Sequence, residues 1–330
     1  MAHELTQRED GFVEMAFVGE TPWHGLGQEL VEGATIEQWQ KAAGMDWTIE
    51  SSPVLYSPLL EKNNWNEVLN GSHKQFGGQN VLFRSDTKEA LSVVSDRYKP
   101  VQPKEVLEFF RDLVDENGFK IHTAGTLKGG KRFWALAETG KFAEVCKGDG
   151  VGGFLLLSTS CDRTLPTTAR FTTVRVVCNN TLSIATANKQ DMISFSHISE
   201  FNHEVVKQKL GNAVQSFGSF MEMAKVLQKQ KFNQATAQKF IADLVSPMNQ
   251  VKRTDYVLEN NRAYKKILSL FDAEAKGQEL VGYTKWGMLN AVTEYIDHHI
   301  PSRSNDARLN NAWFGTGDRL KQRAVELLVA

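Results

Sequence analysis

Three short stretches carry residue types and spacings that suggest chemistry. "GTLKGGK" (125–131) has the G-x-x-x-x-G-K core of a phosphate loop, in which backbone amides and a lysine hold phosphate oxygens. The next residue is Arg132, where a Ser or Thr would hold magnesium, and "RFWALAE" (132–138) alternates like a strand instead of opening a helix. Without a helix N-terminus to finish the cradle, the stretch reads as a basic turn between two strands. "GDGVGG" (148–153) has the G-x-G-x-x-G spacing of a dinucleotide loop, yet it precedes the strand-like "FLLLSTS" (154–160) rather than joining a strand to a helix. Its glycines fit a tight turn.

The third stretch is "RVVCNNTLSIA" (175–185). Cys178 sits where a strand meets a possible helix start, a place that can lower a thiol pKa, but no base partners it. It reads as a small packed residue sharing a strand face with Val174 and Val176. Arg175 falls on the opposite face with Thr173 and Val177. Asn180 is placed to cap a helix from Thr181, and its exposed amides together with the Arg175 guanidinium make a corner suited to an anion. The alternative is that Arg175 pairs with an internal carboxylate.

Toward the C-terminus, Trp286, Asn290, Glu294 and His298 follow one another at steps of four and line one polar stripe of a helix. With Asp297 and His299 nearby, an acid/base or metal site is conceivable. However, His298 and His299 point in different directions and H-E-x-x-H spacing is absent, so the stripe reads as a helix-packing or subunit contact. No catalytic residue, metal ligand or cofactor site is assigned.

What remains is a set of cations interleaved with aromatics: Lys128, Lys131, Arg132, Arg163, Arg170 and Arg175, with Trp134 and Phe171 beside them. On one exposed sheet face such residues would bind a single strand, with cations on phosphates and rings stacked on bases.

The elements that must position these residues follow from periodicity. Thr35 and Gln38 form a capping box for a short helix reaching about residue 44. "NVLFRS" (80–85) and "ALSVVSDRY" (90–98) alternate as hairpin strands, and the apolar spacing after Pro103 predicts a helix over 102–117 closed by Gly118. Four strand candidates follow up to residue 178. Beyond residue 200 the pattern is helical near 200–230, 234–246, 259–272, 283–298 and 318–329. The expected fold is α+β, with a central, mostly antiparallel β-rich block and a predominantly helical C-terminal region. Three regions are expected: an acidic N-terminal segment with a short helix and loops (1–75), a β-rich core with one helix (76–190), and a helical region (191–330).

A chain of 330 residues with 41% hydrophobic and 10% aromatic content is an ordinary globular composition, which excludes disorder as its main character. Cys146, Cys161 and Cys178 have no C-x-x-C spacing and are expected reduced. With no signal peptide and no long apolar run, a cytoplasmic protein without membrane contact is expected. The net charge of −1 hides a gradient: residues 1–75 hold twelve acidic and four basic residues, whereas 118–190 hold ten basic and four acidic. A polyanion partner would therefore meet the middle of the chain; the alternative is that these charges only solvate two faces of a sheet.

Taken together, "TPWHGLG" (21–27), "RYKPVQPKEVLEFFRDL" (97–113), "AGTLKGGKRFWALAE" (124–138), "RVVCNNTL" (175–182), "GYTKWGMLNAVTEYIDHH" (282–299) and "WFGTGDRLKQRA" (313–324) resemble a family of phage- and plasmid-borne proteins catalogued as domain of unknown function 932. The resemblance implies a mobile-element setting beside recombination and replication genes. The expectation is a non-enzymatic, self-associating protein that binds nucleic acid, single-stranded DNA above all, in annealing or strand protection, with a replication or recombination protein as a further partner. The rival expectations are an interaction protein that blocks a host or defence factor, using the acidic first 75 residues, and a nucleotide- or nucleic-acid-processing enzyme.

Overall fold

The computed structural model describes residues 6–19, 26–57, 73–175, 180–183, 192–195, 217–245, 260–302 and 305–330. Cys178 and its neighbours 176–179, and most of "TPWHGLG", lie outside the described residues.

The fold is α+β. Strands β1 (Met15–Val18), β2 (Gln28–Leu30), β6 (Lys120–Leu127), β7 (Arg132–Glu144), β8 (Gly150–Ser160), β9 (Thr167–Arg175) and β10 (Asn180–Ser183) form one large sheet in the order β10-β9-β8-β7-β6-β1-β2. Strand β11 (Met192–Phe195) also pairs with β9, and every pairing except β1 with β2 is antiparallel. A second, three-stranded antiparallel sheet holds β3 (Ile49–Tyr56), β4 (Lys74–Arg84) and β5 (Ala90–Ser95).

The capping box forms as its spacing predicts. Helix α1 (Ile36–Ala42) starts with the Thr35 side chain accepting from the Gln38 amide, while the Gln38 side chain accepts from the Thr35 amide at 2.7 Å. The predicted helix over 102–117 is α2 (Pro103–Asn117), and Gly118 follows it at φ +68°, the left-handed conformation a C-terminal cap needs. C-terminal to the sheet come α3 (described over 217–229), α4 (Gln234–Val245), α5 (Arg262–Ser269), α6 (Gln278–Val281), α7 (Lys285–Glu294), α8 (Asn305–Phe314) and α9 (Thr316–Val329). Among the described residues no helix is long and apolar enough to cross a membrane.

Alternation along the strands sorts side chains onto two covered faces. Phe133, Leu155 and Phe171 take one face, where Phe133 meets Trp47 and Phe171 meets Phe217 of α3. Trp134, Leu136, Phe154 and Val174 take the other, where Trp134 meets Trp313 of α8. Glu14 ties the two sheets together. It is fully buried, and its carboxylate accepts from Arg84 at 2.8 Å, from Arg8 at 3.0 Å and from the Thr126 hydroxyl.

One expectation needs correction. Asn180 opens no helix: it begins β10, whose backbone finds partners along β9, so a ladder replaces the capped corner. Within the first 75 residues, β1 and β2 extend the large sheet beside the expected short helix, and residue 75 lies inside β4. Helix α8 is an addition to the expected set; its apolar residues are Ala307, Leu309, Ala312, Trp313 and Phe314.

Candidate functional site

The six cations and two aromatics expected on one face are divided by the fold. Arg175 is buried on the Phe171 side: its Nε donates to Asp149 at 2.5 Å, and its two terminal nitrogens donate to the carbonyls of Lys276 and Gly277 at 2.8 and 3.1 Å. Arg132 is buried under α8, donating to Asn310 and to the Thr164 hydroxyl at 2.8 Å. Arg170 pairs with Asp318 of α9 at 2.9 Å, and both guanidiniums lie within 5.4 Å of the Phe314 ring centroid. Trp134 and Phe171 are core residues, 1% and 2% exposed. These five positions therefore correct the expected strand-binding face. The cause is the period of two, which turns Arg132, Trp134 and Arg170 toward α8 and α9 and turns Phe171 and Arg175 toward α3 and α6.

Lys128, Lys131 and Arg163 have a different fate, because they lie in the turns that join β6 to β7 and β8 to β9. Antiparallel pairing brings both turns to the same end of the sheet, where the Cys161 amide donates to the Lys131 carbonyl at 2.9 Å. The segment after β5 arrives there as well. Ser92 donates to the Cys161 carbonyl and Tyr98 donates to the Ser160 carbonyl, at 2.5 and 2.8 Å, and this sets Arg97 and Lys99 beside the turns. Arg97, Lys99, Lys128 and Arg163 are exposed and Lys131 is half-buried. Asp96 and Asp162 are the acidic residues among them. Arg97 and Lys99 are absent from the residues that motif spacing singles out, although two cations flanking an aromatic just past a strand end are a visible signal.

Backbone conformation marks the same turns. Among the described residues, the non-glycine residues with positive φ are Lys88, Lys128 and Arg163, at 60°, 56° and 64°. All three are cations in hairpin turns. An L-residue in this conformation costs roughly 1–2 kcal/mol that a glycine would not. Local charges are arranged accordingly. Burial opposes the charge of Asp162, but hydrogen bonds from the Thr164 hydroxyl and amide and the nearness of Lys128 outweigh it and lower its pKa. Burial pushes the Cys161 thiol up to about 12, so it is a packed group and no nucleophile.

At the opposite end of the strands, the Trp134 face opens into a cleft of about 1030 Å³. Its apolar walls include Trp134, Leu136, Phe154 and Trp313, and it runs from His122 on β6 to Thr181 on β10. Two buried polar atoms on this lining, His122 Nδ1 and Trp134 Nε1, have no hydrogen-bond partner, a state that costs about 1–3 kcal/mol each. His122 packs edge-on against Phe154 at 5.4 Å, and burial lowers its pKa against the opposing pull of Glu138. At the far end Lys321, 1% exposed, donates to Asp297 at 2.5 Å and to the carbonyl and hydroxyl of Thr181.

The predicted helical stripe is split. Trp286, Asn290 and Glu294 are buried on α7: the Trp286 indole donates to Asp149 at 2.8 Å, Asn290 donates to the Trp286 carbonyl, and Glu294 accepts from the Lys276 amide at 2.9 Å. After Glu294 the helix continues as a wider π turn over Tyr295–His299, so a step of four falls short of a full turn and His298 leaves the stripe to line the cleft. Among the described residues no group of three or more Asp, Glu, His or Cys side chains is placed to hold a metal ion.

A protein-family model described as a domain of unknown function (DUF932) matches residues 90–313, from β5 to the end of α8. No curated protein and no solved structure matches the chain.

Proposed function

The chain belongs to the domain-of-unknown-function 932 family, and we propose that it is a nucleic-acid-binding protein of a phage or mobile element. It acts in the cytoplasm of the host cell, on single-stranded DNA, in recombination or replication. The binding surface is the turn end of the sheets, with Arg97, Lys99, Lys128, Lys131 and Arg163 on phosphates. The observation that carries the reading is that Lys128 and Arg163 occupy left-handed turn positions where glycine is the easier residue. Side chains kept against backbone strain point to work done by the side chain.

The test uses that strain. Lys128→Gly and Arg163→Gly relieve the left-handed conformation, so their stability should stay within about 1 kcal/mol of the parent protein. Their affinity for a fluorescent single-stranded oligonucleotide should nevertheless fall several-fold. The salt dependence of binding should flatten by about 0.7 in log–log slope for each phosphate that no longer meets a cation. Parent protein that gives no salt-sensitive anisotropy change at micromolar concentration would sink the reading.

A second reading is contact with a protein partner, such as a host or defence factor. It rests on Leu55, Tyr56 and Phe76, which stand 59%, 47% and 51% exposed on the outer part of the β3–β4 ribbon. The acidic first 75 residues support it less in the folded chain than in the sequence, since Glu14, Glu32 and Glu50 are engaged by Arg84, Lys120 and Lys88. The variant Tyr56→Ser/Phe76→Ser separates the readings: lower oligonucleotide affinity assigns these rings to bases, and unchanged affinity leaves them for a protein.

A further inference from the structure

The cleft on the Trp134 face is a second site, distinct from the proposed nucleic-acid surface. Glu138, on its lining, lies seven residues along β7 from Lys131, which in an extended strand is roughly 23 Å. A ligand at the Glu138 end of the cleft is therefore beyond the reach of the Lys131 side chain, whereas the Trp134 end lies roughly 10 Å from it. We propose that the cleft binds an uncharged, fused-ring heterocyclic small molecule.

Three observations fix that class. The first is shape: about 1030 Å³ is the size of a site for a drug-sized molecule, and its walls are largely aromatic and aliphatic. Trp313 meets Trp134 edge-on at 82°, and Phe154 meets His122 edge-on at 79°. Perpendicular pairs of this kind present both ring faces and ring edges along one wall, which suits a flat aromatic guest.

The second is unmet hydrogen bonding. His122 Nδ1 and Trp134 Nε1 are buried without a partner, and both residues line this cleft. Buried polar atoms are ordinarily satisfied, so an orphan pair on one cleft wall calls for a guest with heteroatoms. Burial favours the neutral form of the His122 ring, in which one nitrogen donates and the other accepts. A heteroatom on the edge of a fused ring satisfies it, whereas a plain hydrocarbon does not.

The third is charge. Arg111, Lys120 and Lys141 on the lining are balanced by Glu32, Glu37 and Glu138, and Asp297 is neutralised by Lys321. Lys120 is moreover held by Glu32. A site with balanced charge and an apolar floor discriminates against a phosphorylated ligand and favours an uncharged one.

Nile red, an uncharged fused-ring heterocycle whose emission brightens and shifts to the blue in apolar surroundings, is the probe. Titrated into the full chain it should bind saturably, one per chain, and accept energy from tryptophan. The anionic dye anilinonaphthalene sulfonate, competing for the same site, should bind at least tenfold more weakly. Val174→Trp, which fills the half-exposed middle of the lining, should abolish binding, and His122→Phe, which keeps the ring but removes the orphan nitrogen, should weaken it at least fivefold. Both variants are to be compared at matched thermal unfolding. Lys128→Gly/Arg163→Gly should bind Nile red like the parent, whatever it does to oligonucleotide binding, so the two sites fail or stand separately. Non-saturating binding, unchanged affinity in Val174→Trp, unchanged affinity in His122→Phe, or preference for the anionic dye would each overturn the proposal.

Discussion

Arg175 shows how one residue's role turns on its partner. Its guanidinium and the Asp149 carboxylate are 3% and 0% exposed, and Asp149 also accepts from Trp286. Arg175→Ala leaves that carboxylate buried without its cation, so chemical denaturation should record a loss of about 3–5 kcal/mol. Arg175→Met/Asp149→Leu should recover part of it, though not all, because the Trp286 indole then lacks its acceptor. A second prediction concerns acid. Burial lowers the His122 pKa below its ordinary 6.5, so between the two values the unfolded chain binds a proton that the folded chain refuses. Stability is thus complete above the unfolded value and declines as pH falls through it toward the folded one. His299, lowered by burial and by Lys266, slopes the same way. Urea midpoints measured between about pH 7 and 5 should therefore fall less steeply in His122→Phe, and least in His122→Phe/His299→Gln.

Turns and helix ends decide which side chains reach solvent. The β6–β7 turn uses Gly129 and Gly130 at φ +68° and +89°, but their surroundings differ: a Cβ on Gly129 meets nothing within 4 Å, whereas one on Gly130 would stand 2.7 Å from the Trp47 ring. Gly129→Ala should cost about 1 kcal/mol, from the conformation alone. Gly130→Ala adds a clash with the residue that stacks on Arg84, so it should cost at least about 2 kcal/mol and should loosen the joint between the two sheets. Thermal unfolding of the pair checks the difference. Much at this scale is legible in the sequence: the capping box at Thr35, the hairpin of β4 and β5, the helix from Pro103 and the basic turn at 128–131. The π turn at Tyr295–His299 is not, since a sequence spaced at four residues looks the same whether the helix keeps its pitch or widens.

At the scale of the whole molecule, residues far apart in the chain neutralise one another. Glu14, Glu32 and Glu50, all from the acidic first 75 residues, meet Arg84, Lys120 and Lys88 from the middle of the chain. At the turn end of the sheets the exposed cations Arg97, Lys99, Lys128 and Arg163 outnumber the carboxylates Asp96 and Asp162. Local pairing is also why the phosphate-loop spacing at 125–131 gives a hairpin: β7 pairs with β6 from Arg132 onward, and no helix follows.

Fold class, the order of strands before helices, and the turns all follow from the amino-acid order, because periodicity and turn chemistry are properties of neighbouring residues. Which cations face outward does not follow from it. Strand alternation places a side chain on one of two faces, but what covers that face comes from elsewhere in the chain: α8 and α9 over Arg132 and Arg170, Asp149 against Arg175. The cleft belongs to the same category. Its walls are contributed by residues from Met15 to Trp313, and its unmatched His122 and Trp134 nitrogens exist only once those walls have closed around them.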